Sequence, residues 1–324
     1  MKRILIVDAL NMYFRAYIVD PSLSSNGQPV GGFKGFLKIL NKLVREISPD
    51  QIVICWDGPG GSRKRKSVNK NYKEGRSPIR LNRDIRNLTE TEELSNKIWQ
   101  QTRLYEYLNE MPIVQFMFED IEADDLISYV VNSPHFSGDQ KVIVSSDKDF
   151  FQLLDEHTVL YRPVQKEVLN KNSVIEKFNI HPTNFALARA MTGDKSDNLA
   201  GIGGVGLATV SKRIPFLAEE KSYTVEEVLE HCRNADSELK CYSSILDGEK
   251  TIRQNYKLMQ LYSPAISVQV KQQMRSVLEE NVPQLNKTKI RTMFIQDGIG
   301  ELILTDLFTN FRKTIFSWKS NERK

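Results

Sequence analysis

Five carboxylates fall within seven residues in Glu119-Asp120-Ile121-Glu122-Ala123-Asp124-Asp125, between an apolar run and the apolar stretch Leu126 to Val131. Acids packed this tightly repel one another, and protonation or a bound cation must relieve the repulsion. More acids follow apolar, strand-like runs: Asp8 after residues 3–7, Asp57 after 51–56, and Asp147 and Asp149 after 141–144. Asp194 and Asp197 stand three apart in Gly193-Asp194-Lys195-Ser196-Asp197-Asn198. One acid after a strand is ordinary loop composition. Four strands ending the same way suggest a cage for two divalent ions. An oxygen-only donor set without thiolate or imidazole suits Mg²⁺ or Mn²⁺. The acidic cluster can serve such a cage only if its helix begins near Ala123. Asp120 has the plainer role of capping that helix, and Glu119 reads as solvated.

A basic block follows Asp57: Arg63, Lys64, Arg65, Lys66, Lys70, Lys73 and Arg76 against a single Glu74, with Tyr72 interleaved. Charge runs are usually solvated loops. This one is tethered beside the acids, where lysines and arginines would neutralise phosphates and an aromatic ring could stack on a base. The run Gly201-Ile202-Gly203-Gly204-Val205-Gly206 matches a dinucleotide fingerprint literally, but no strand precedes it. It reads better as a helix–hairpin–helix turn, where glycines let backbone N–H groups approach a phosphate.

The elements that must position these groups are strands alternating with helices. Residues 3–7, 51–56, 112–118 and 141–144 read as buried strands. A helical pattern runs through Phe36, Leu37, Leu40, Leu43, Val44 and Ile47. Residues 80–108 read as helical, with Ile85, Leu88, Ile98, Leu104 and Leu108 as core contacts. This alternation predicts an α/β fold with a mostly parallel sheet flanked by helices. In such sheets the site lies at the carboxyl ends of the strands, where the acids fall. Two domains are expected: an α/β core over 1–184, and a helical, DNA-binding part over 185–324. Helices are expected near 225–232, 254–261, 268–278 and 288–294, with a last amphipathic stretch opened by Gly298, Ile299 and Gly300 and running through Leu302 and Leu304. Residues 319–324 read as a frayed end.

The chain has 324 residues and a net charge of only +4, so local charge matters more than the total. Cys55, Cys232 and Cys241 form no metal or disulfide pattern, and a reducing, cytoplasmic home is expected. The four histidines are scattered and take no role. The apolar start is too short for a signal peptide. No run approaches the ~20 apolar residues of a membrane span.

Taken in order, these motifs resemble the 5′-nuclease family, which includes the nuclease domain of bacterial DNA polymerase I, flap endonucleases and stand-alone phage exonuclease/ribonuclease H proteins. The resemblance covers about residues 3–215. It rests on Ile6-Val7-Asp8 with Arg15, Trp56-Asp57, Arg63, Tyr72-Lys73 with Arg76, Glu122-Ala123-Asp124-Asp125, Ser146-Asp147-Lys148-Asp149, Gly193 to Asn198, and the glycine turn. It implies a PIN-like core with a helical arch over about 63–108. Asp8, Asp57, Glu122 and Asp124 would hold one metal ion. Asp147, Asp149, Asp194 and Asp197 would hold the other, with Asp125 near both. Tyr72, Lys73 and Arg76 would stand at the base of the arch, with Lys73 on the scissile phosphate. Arg63, Lys64, Lys66, Lys70 and the turn glycines Gly201, Gly203, Gly204 and Gly206 would hold DNA, with K⁺ at the turn. Ala200 departs from the family's usual proline.

The implied activity is two-metal hydrolysis of phosphodiesters in branched or 5′-flapped DNA and RNA–DNA hybrids, removing flaps and RNA primers in replication. The enzyme would be a monomer that meets a clamp or single-strand-binding protein in trans. Two rivals use the same residues. A catalytically silent DNA-junction binder would not need so many acids. A PIN-like RNA endonuclease would not need the arch or the glycine turn.

Overall fold

The computed structural model describes residues 1–324 apart from 87, 236–238, 281–283, 300–303 and 323–324, with the side chains of 317–322 also outside the description. Gly300 and Leu302, expected in the last amphipathic stretch, and Arg323 and Lys324, expected to fray, therefore lie outside the described residues.

Six strands form one sheet: β1 Arg3–Asp8, β2 Gln51–Cys55, β3 Val114–Phe116, β4 Gln140–Val144, β5 Thr158–Arg162 and β6 Glu167–Leu169. Their order is β3-β2-β1-β4-β5-β6. All neighbours are parallel except β5 and β6, which form an antiparallel pair at one edge. The central strands are near-continuous apolar runs because helices cover both faces. Register then fixes the site. Asp8 pairs with Cys55 and Val7 with Val144, so Asp8, Asp57 and Asp147 emerge side by side past the strand ends. The β5–β6 pair was not expected: β5 alternates buried and half-buried residues, and β6 has only three.

The helices are α1 Ala9–Val19, α2 Gly31–Ile47, α3 Arg63–Val68, α4 Glu90–Asn109, α5 Ala123–Val131, α6 Lys171–Phe178, α7 Pro182–Thr192, α8 Leu207–Arg213, α9 Val225–Asn234, α10 Lys240–Asp247, α11 Glu249–Met259, α12 Val268–Glu280, α13 Lys287–Gln296 and α14 Leu304–Glu322. One face of the sheet packs Leu5 and Val7 against Phe36 and Leu40 of α2, Leu104 and Leu108 of α4, and Phe294, Phe308 and Phe311 of α13 and α14. The other packs Ile4 and Ile6 against Leu126 and Ile127 of α5, then Phe151, Phe185, Val228 and Ile252. The expected division after residue 184 falls inside α7. The helical residues beyond it pack on both faces of the sheet.

α1 and α2 cross closely. A Cβ on Gly35 would lie 2.8 Å from the Ala16 Cβ, and one on Gly32 would lie 2.7 Å from the Tyr13 ring. The expected helix over 80–108 begins only at Glu90. Its cap is Thr89, whose side chain accepts from the Glu92 N–H while the Glu92 carboxylate accepts from the Thr89 N–H, a reciprocal pairing that starts helices. Ile98, expected in the core, is 55% exposed, whereas Leu104 and Leu108 are fully buried. Among the described residues, no helix is long and apolar enough to cross a membrane.

Candidate active site

Asp8 ends β1 and caps α1. Its carboxylate accepts from the Asn11 N–H at 3.2 Å and from the Ser145 hydroxyl at 2.9 Å. Ser145 Oγ in turn accepts from the Asp147 N–H at 3.1 Å, and Asp147 accepts from the Asp149 N–H at 2.8 Å. The ends of β1 and β4 are thus laced together through side chains. Asp57 accepts from the Ala123 N–H at 2.7 Å, so a carboxylate just past the end of β2 caps the helix that carries Asp124. The helix does begin at Ala123, as the metal-cage reading required. The cap assigned to Asp120 is corrected: Glu122 holds the N-cap position without a side-chain bond, and Asp120 turns outward to Arg63.

Asp8, Asp57, Asp124, Asp147 and Asp197 line one cleft of about 390 Å³, with Asn11, Arg15, Lys73 and Arg76 on its walls. An adjoining cleft of about 350 Å³ holds Asp147 again, with Asn11, Ser146, Lys148, Arg189, Asp194 and Ser196. Asp147 is common to both.

The electrostatics are strained. Burial, then the charge of Asp57, pushes the Asp8 carboxyl up to about 7. Burial, then Asp147, pushes Asp149 up to about 7. Asp124 is driven well above the usual carboxylate range by burial and then by Asp147. Asp147 is raised by burial and by Asp197 and Asp194. Asp57 is open to the cleft, so the desolvation that raises it is that of a concave protein floor and not of a closed core. Asp194 goes the other way: burial opposes ionisation, but hydrogen bonds from Ser196 and the charge of Arg189 outweigh it. Arg189 pairs with both Asp149, at 3.3 Å, and Asp194.

Glu122 and Asp125 stand apart from the open cleft. They are 2% and 6% exposed. Arg65 Nη1 lies 2.5 Å from Glu122 and 3.1 Å from Asp125. Lys73 Nζ is 2.9 Å from the other Glu122 oxygen, and the Tyr72 hydroxyl donates to Glu122 at 3.2 Å. Burial would raise Glu122, but Arg65 and Lys73 outweigh it and hold the carboxyl below its ordinary value. Asp125 also accepts from the Ala265 N–H at 3.2 Å. These two acids, expected as metal ligands, are already neutralised by protein cations. The expected stacking role of Tyr72 is likewise corrected. Its ring is 2% exposed and packs with Leu199, Leu258 and Met259.

The segment carrying Tyr72, Lys73 and Arg76 is strapped to the loop of Asp194 and Asp197. The Lys73 N–H donates to the Asp197 carbonyl at 2.9 Å, Arg76 donates to the Ser196 carbonyl at 2.9 Å and pairs with Asp197, and Asn198 donates to the Asn71 carbonyl at 2.9 Å. Of the basic block, Lys64 donates to the Ala265 carbonyl, while Lys66 and Lys70 are exposed. The glycine turn joins α7 to α8. A Cβ on Gly201 would lie 2.1 Å from the Thr192 carbonyl oxygen, whereas nothing lies within 4 Å of one on Gly203, Gly204 or Gly206, and Gly204 has φ +76°. The turn is packed at its start and open at its tip.

Arg189 carried no signal in the charge runs, being a lone cation in Phe185-Ala186-Leu187-Ala188-Arg189-Ala190-Met191. That isolation on an apolar helix, five residues before Asp194, is the clue that it must meet buried acids. Arg65 was hidden among its basic neighbours, and Asn11 and Ser145 gave no pattern.

Among the described residues no three acids converge into a closed coordination cage. The donor set nevertheless fits divalent cations. It is all oxygen, it lines an open cleft, and Asp8, Asp124, Asp147 and Asp149 are raised first by burial and then by neighbouring carboxylates whose repulsion a cation would relieve.

The chain matches the family described as 5′-3′ exonuclease, N-terminal resolvase-like domain, over residues 3–179. A 5′-3′ exonuclease of Aquifex aeolicus is 28% identical over 292 residues, covering 89% of this chain and 90% of that one. The fold is similar to the bacteriophage T5 D15 protein co-crystallised with metal ions, with TM-score 0.63 and 16% identity over 98% of this chain and 99% of that one. It is equally similar to the T5 D15 flap endonuclease in a pseudo-enzyme–product complex with DNA and metal ions, with TM-score 0.63 and 16% identity over 97% and 100% of the two chains.

Proposed function

This chain belongs to the 5′-3′ exonuclease family, and on that premise we propose that it is a metal-dependent, structure-specific 5′ nuclease acting on branched or 5′-flapped DNA. The observation that carries the reading is the pair of adjoining clefts sharing Asp147, floored by acids from three strand ends and walled by Lys73, Arg76 and Arg189. A pure DNA-junction binder has no use for so many repelling carboxylates facing a polyanion.

Asp8, Asp57 and Asp124 would hold one divalent ion, and Asp147, Asp149, Asp194 and Asp197 the other. Divalent ions held by these carboxylates would supply an activated water and stabilise the charge that develops in phosphodiester hydrolysis. The protein's own groups do the positioning. Ser145 and the Asn11 N–H aim Asp8, and the Ala123 N–H aims Asp57. Lys73 and Arg76 present positive charge where a phosphate would enter. The open tip of the glycine turn offers backbone N–H groups to a duplex arm, with K⁺ as its monovalent partner. Lys66 and Lys70 would meet the backbone of the 5′ strand, screened by salt. Removal of RNA primers as well as DNA flaps in replication follows as the finer proposal.

Asp147→Asn tests the reading, because Asp147 is common to both clefts. Cleavage should fall by more than about a hundredfold, while binding of flapped DNA in EDTA stays within about threefold of wild type. A variant that cuts normally removes Asp147 from the site.

A further inference from the structure

Arg65 has no place in the chemistry described above, yet it meets two carboxylates and a backbone carbonyl beside the cleft. It sits on α3 with its side chain only 12% exposed. Its guanidinium reaches Glu122 at 2.5 Å and Asp125 at 3.1 Å, and its Nε donates to the Leu258 carbonyl at 3.1 Å. Glu122 therefore has two cationic partners on different sides. Arg65 lies behind it, with no part in the cleft lining, and Lys73 lies in front, on the cleft wall beside Asp57 and Asp124. The Tyr72 hydroxyl completes the set.

This arrangement creates a problem that Arg65 solves. Lys73 is spent on Glu122 and must leave it to meet a phosphate. Were Lys73 the only partner, its departure would strand a buried anion, which is costly. With Arg65 fixed behind, the carboxylate keeps a counter-ion and Lys73 exchanges one anion for another. The planar guanidinium suits this static role, since it serves two carboxylates and a carbonyl at once, and the flexible ammonium suits the mobile one.

We infer that Arg65 is a positioning residue that acts through Glu122, freeing Lys73 to move from Glu122 to the substrate phosphate. The inference rests on the nuclease reading above and on Lys73 meeting the phosphate.

The test is a set of variants, Arg65→Gln, Arg65→Lys, Glu122→Gln and the double Arg65→Gln/Glu122→Gln. Each is assayed by single-turnover cleavage of flapped DNA at saturating enzyme, below its own melting temperature. Arg65→Gln should lower the rate about 10- to 100-fold. Its Mg²⁺ midpoint and its DNA affinity in EDTA should stay unchanged, because no metal donor is lost. Arg65→Lys should recover part of the rate. The double variant should cut faster than Arg65→Gln, because the anion that traps Lys73 is gone. A merely structural Arg65 predicts the opposite order, with the second core change adding to the first. A double variant no faster than Arg65→Gln overturns the inference. So does a Glu122→Gln variant whose Mg²⁺ midpoint rises severalfold, which would make Glu122 a metal ligand. Should Arg65→Gln fail to fold, Arg65→Lys against Arg65→Lys/Glu122→Gln gives the same comparison. Wild-type protein that does not cut at all refutes the nuclease reading instead, so the two failures are distinguishable.

Discussion

Asp8→Asn isolates the cost of the acidic floor. The carboxyl is raised from 3.8 to about 7 because it is buried and faces Asp57, although Ser145 and Asn11 stabilise its ionised form. A folded-state value above the unfolded one means that the folded protein binds the proton more tightly. Metal-free stability is therefore highest in acid and falls as pH rises from 3.8 to about 7. Above that window the cost approaches about 4 kcal/mol. At pH 5 it is only about 2 kcal/mol. Asparagine keeps the geometry: its carbonyl can accept from Asn11, and its amide can donate to the Ser145 oxygen. For a chain of this length, about 4 kcal/mol corresponds to roughly 6 °C in Tm. In EDTA, Asp8→Asn should therefore melt about 6 °C above wild type at pH 8 and about 3 °C above it at pH 5. Saturating Mg²⁺ should narrow or reverse the gap at pH 8, because only the wild type offers the full donor set. Scanning fluorimetry across pH, with and without metal, reads all of this. An Asp8→Asn protein that melts below wild type in EDTA at pH 8, or a gap independent of pH, refutes the reasoning.

Other expectations follow from the same geometry. Arg189→Met leaves Asp149 and Asp194 without their shared cation, so metal-free protein should lose about 3–5 kcal/mol. Mg²⁺ should restore part of it, seen as a larger metal-induced rise in Tm than wild type shows. The glycine turn should divide by position. Gly201→Ala forces a methyl to 2.1 Å from the Thr192 carbonyl oxygen and should destabilise by more than about 2 kcal/mol in a urea titration. Gly203→Ala meets nothing within 4 Å and should leave stability within about 0.5 kcal/mol.

The strands that carry the acids were legible because their runs are short, apolar and rich in branched residues, and because Asp8, Asp57 and Asp147 stand at or just past their ends. The start of α5 was legible as a condition to be met. Its cap was not, because the cap is Asp57, 66 residues away from the Ala123 N–H it accepts from. Local rules favour a nearby Asp120 over a distant partner. The α1–α2 contact was hidden for a similar reason. Gly32 and Gly35 lie inside α2 and admit Tyr13 and Ala16 of another helix, partners that local sequence does not name. The capping pair Thr89 and Glu92 was readable and marks where α4 starts. The apolar residues Ile85 and Leu88 masked it by extending the helical pattern upstream. The surroundings of Glu122 and Asp125 were hidden because spacing along a helix says which acids share a face, but not which of them a buried arginine pairs with. Only the path of α3 across that face decides it.

The central claim is metal-dependent cutting by the carboxylate clefts. Its most direct test is cleavage of an end-labelled 5′-flap DNA with Mg²⁺ and with EDTA, the product mapped to the nucleotide. The account predicts cutting at or next to the flap junction with Mg²⁺ and none in EDTA. Tight binding with no cleavage in Mg²⁺ or Mn²⁺ would contradict it and leave a junction binder in its place.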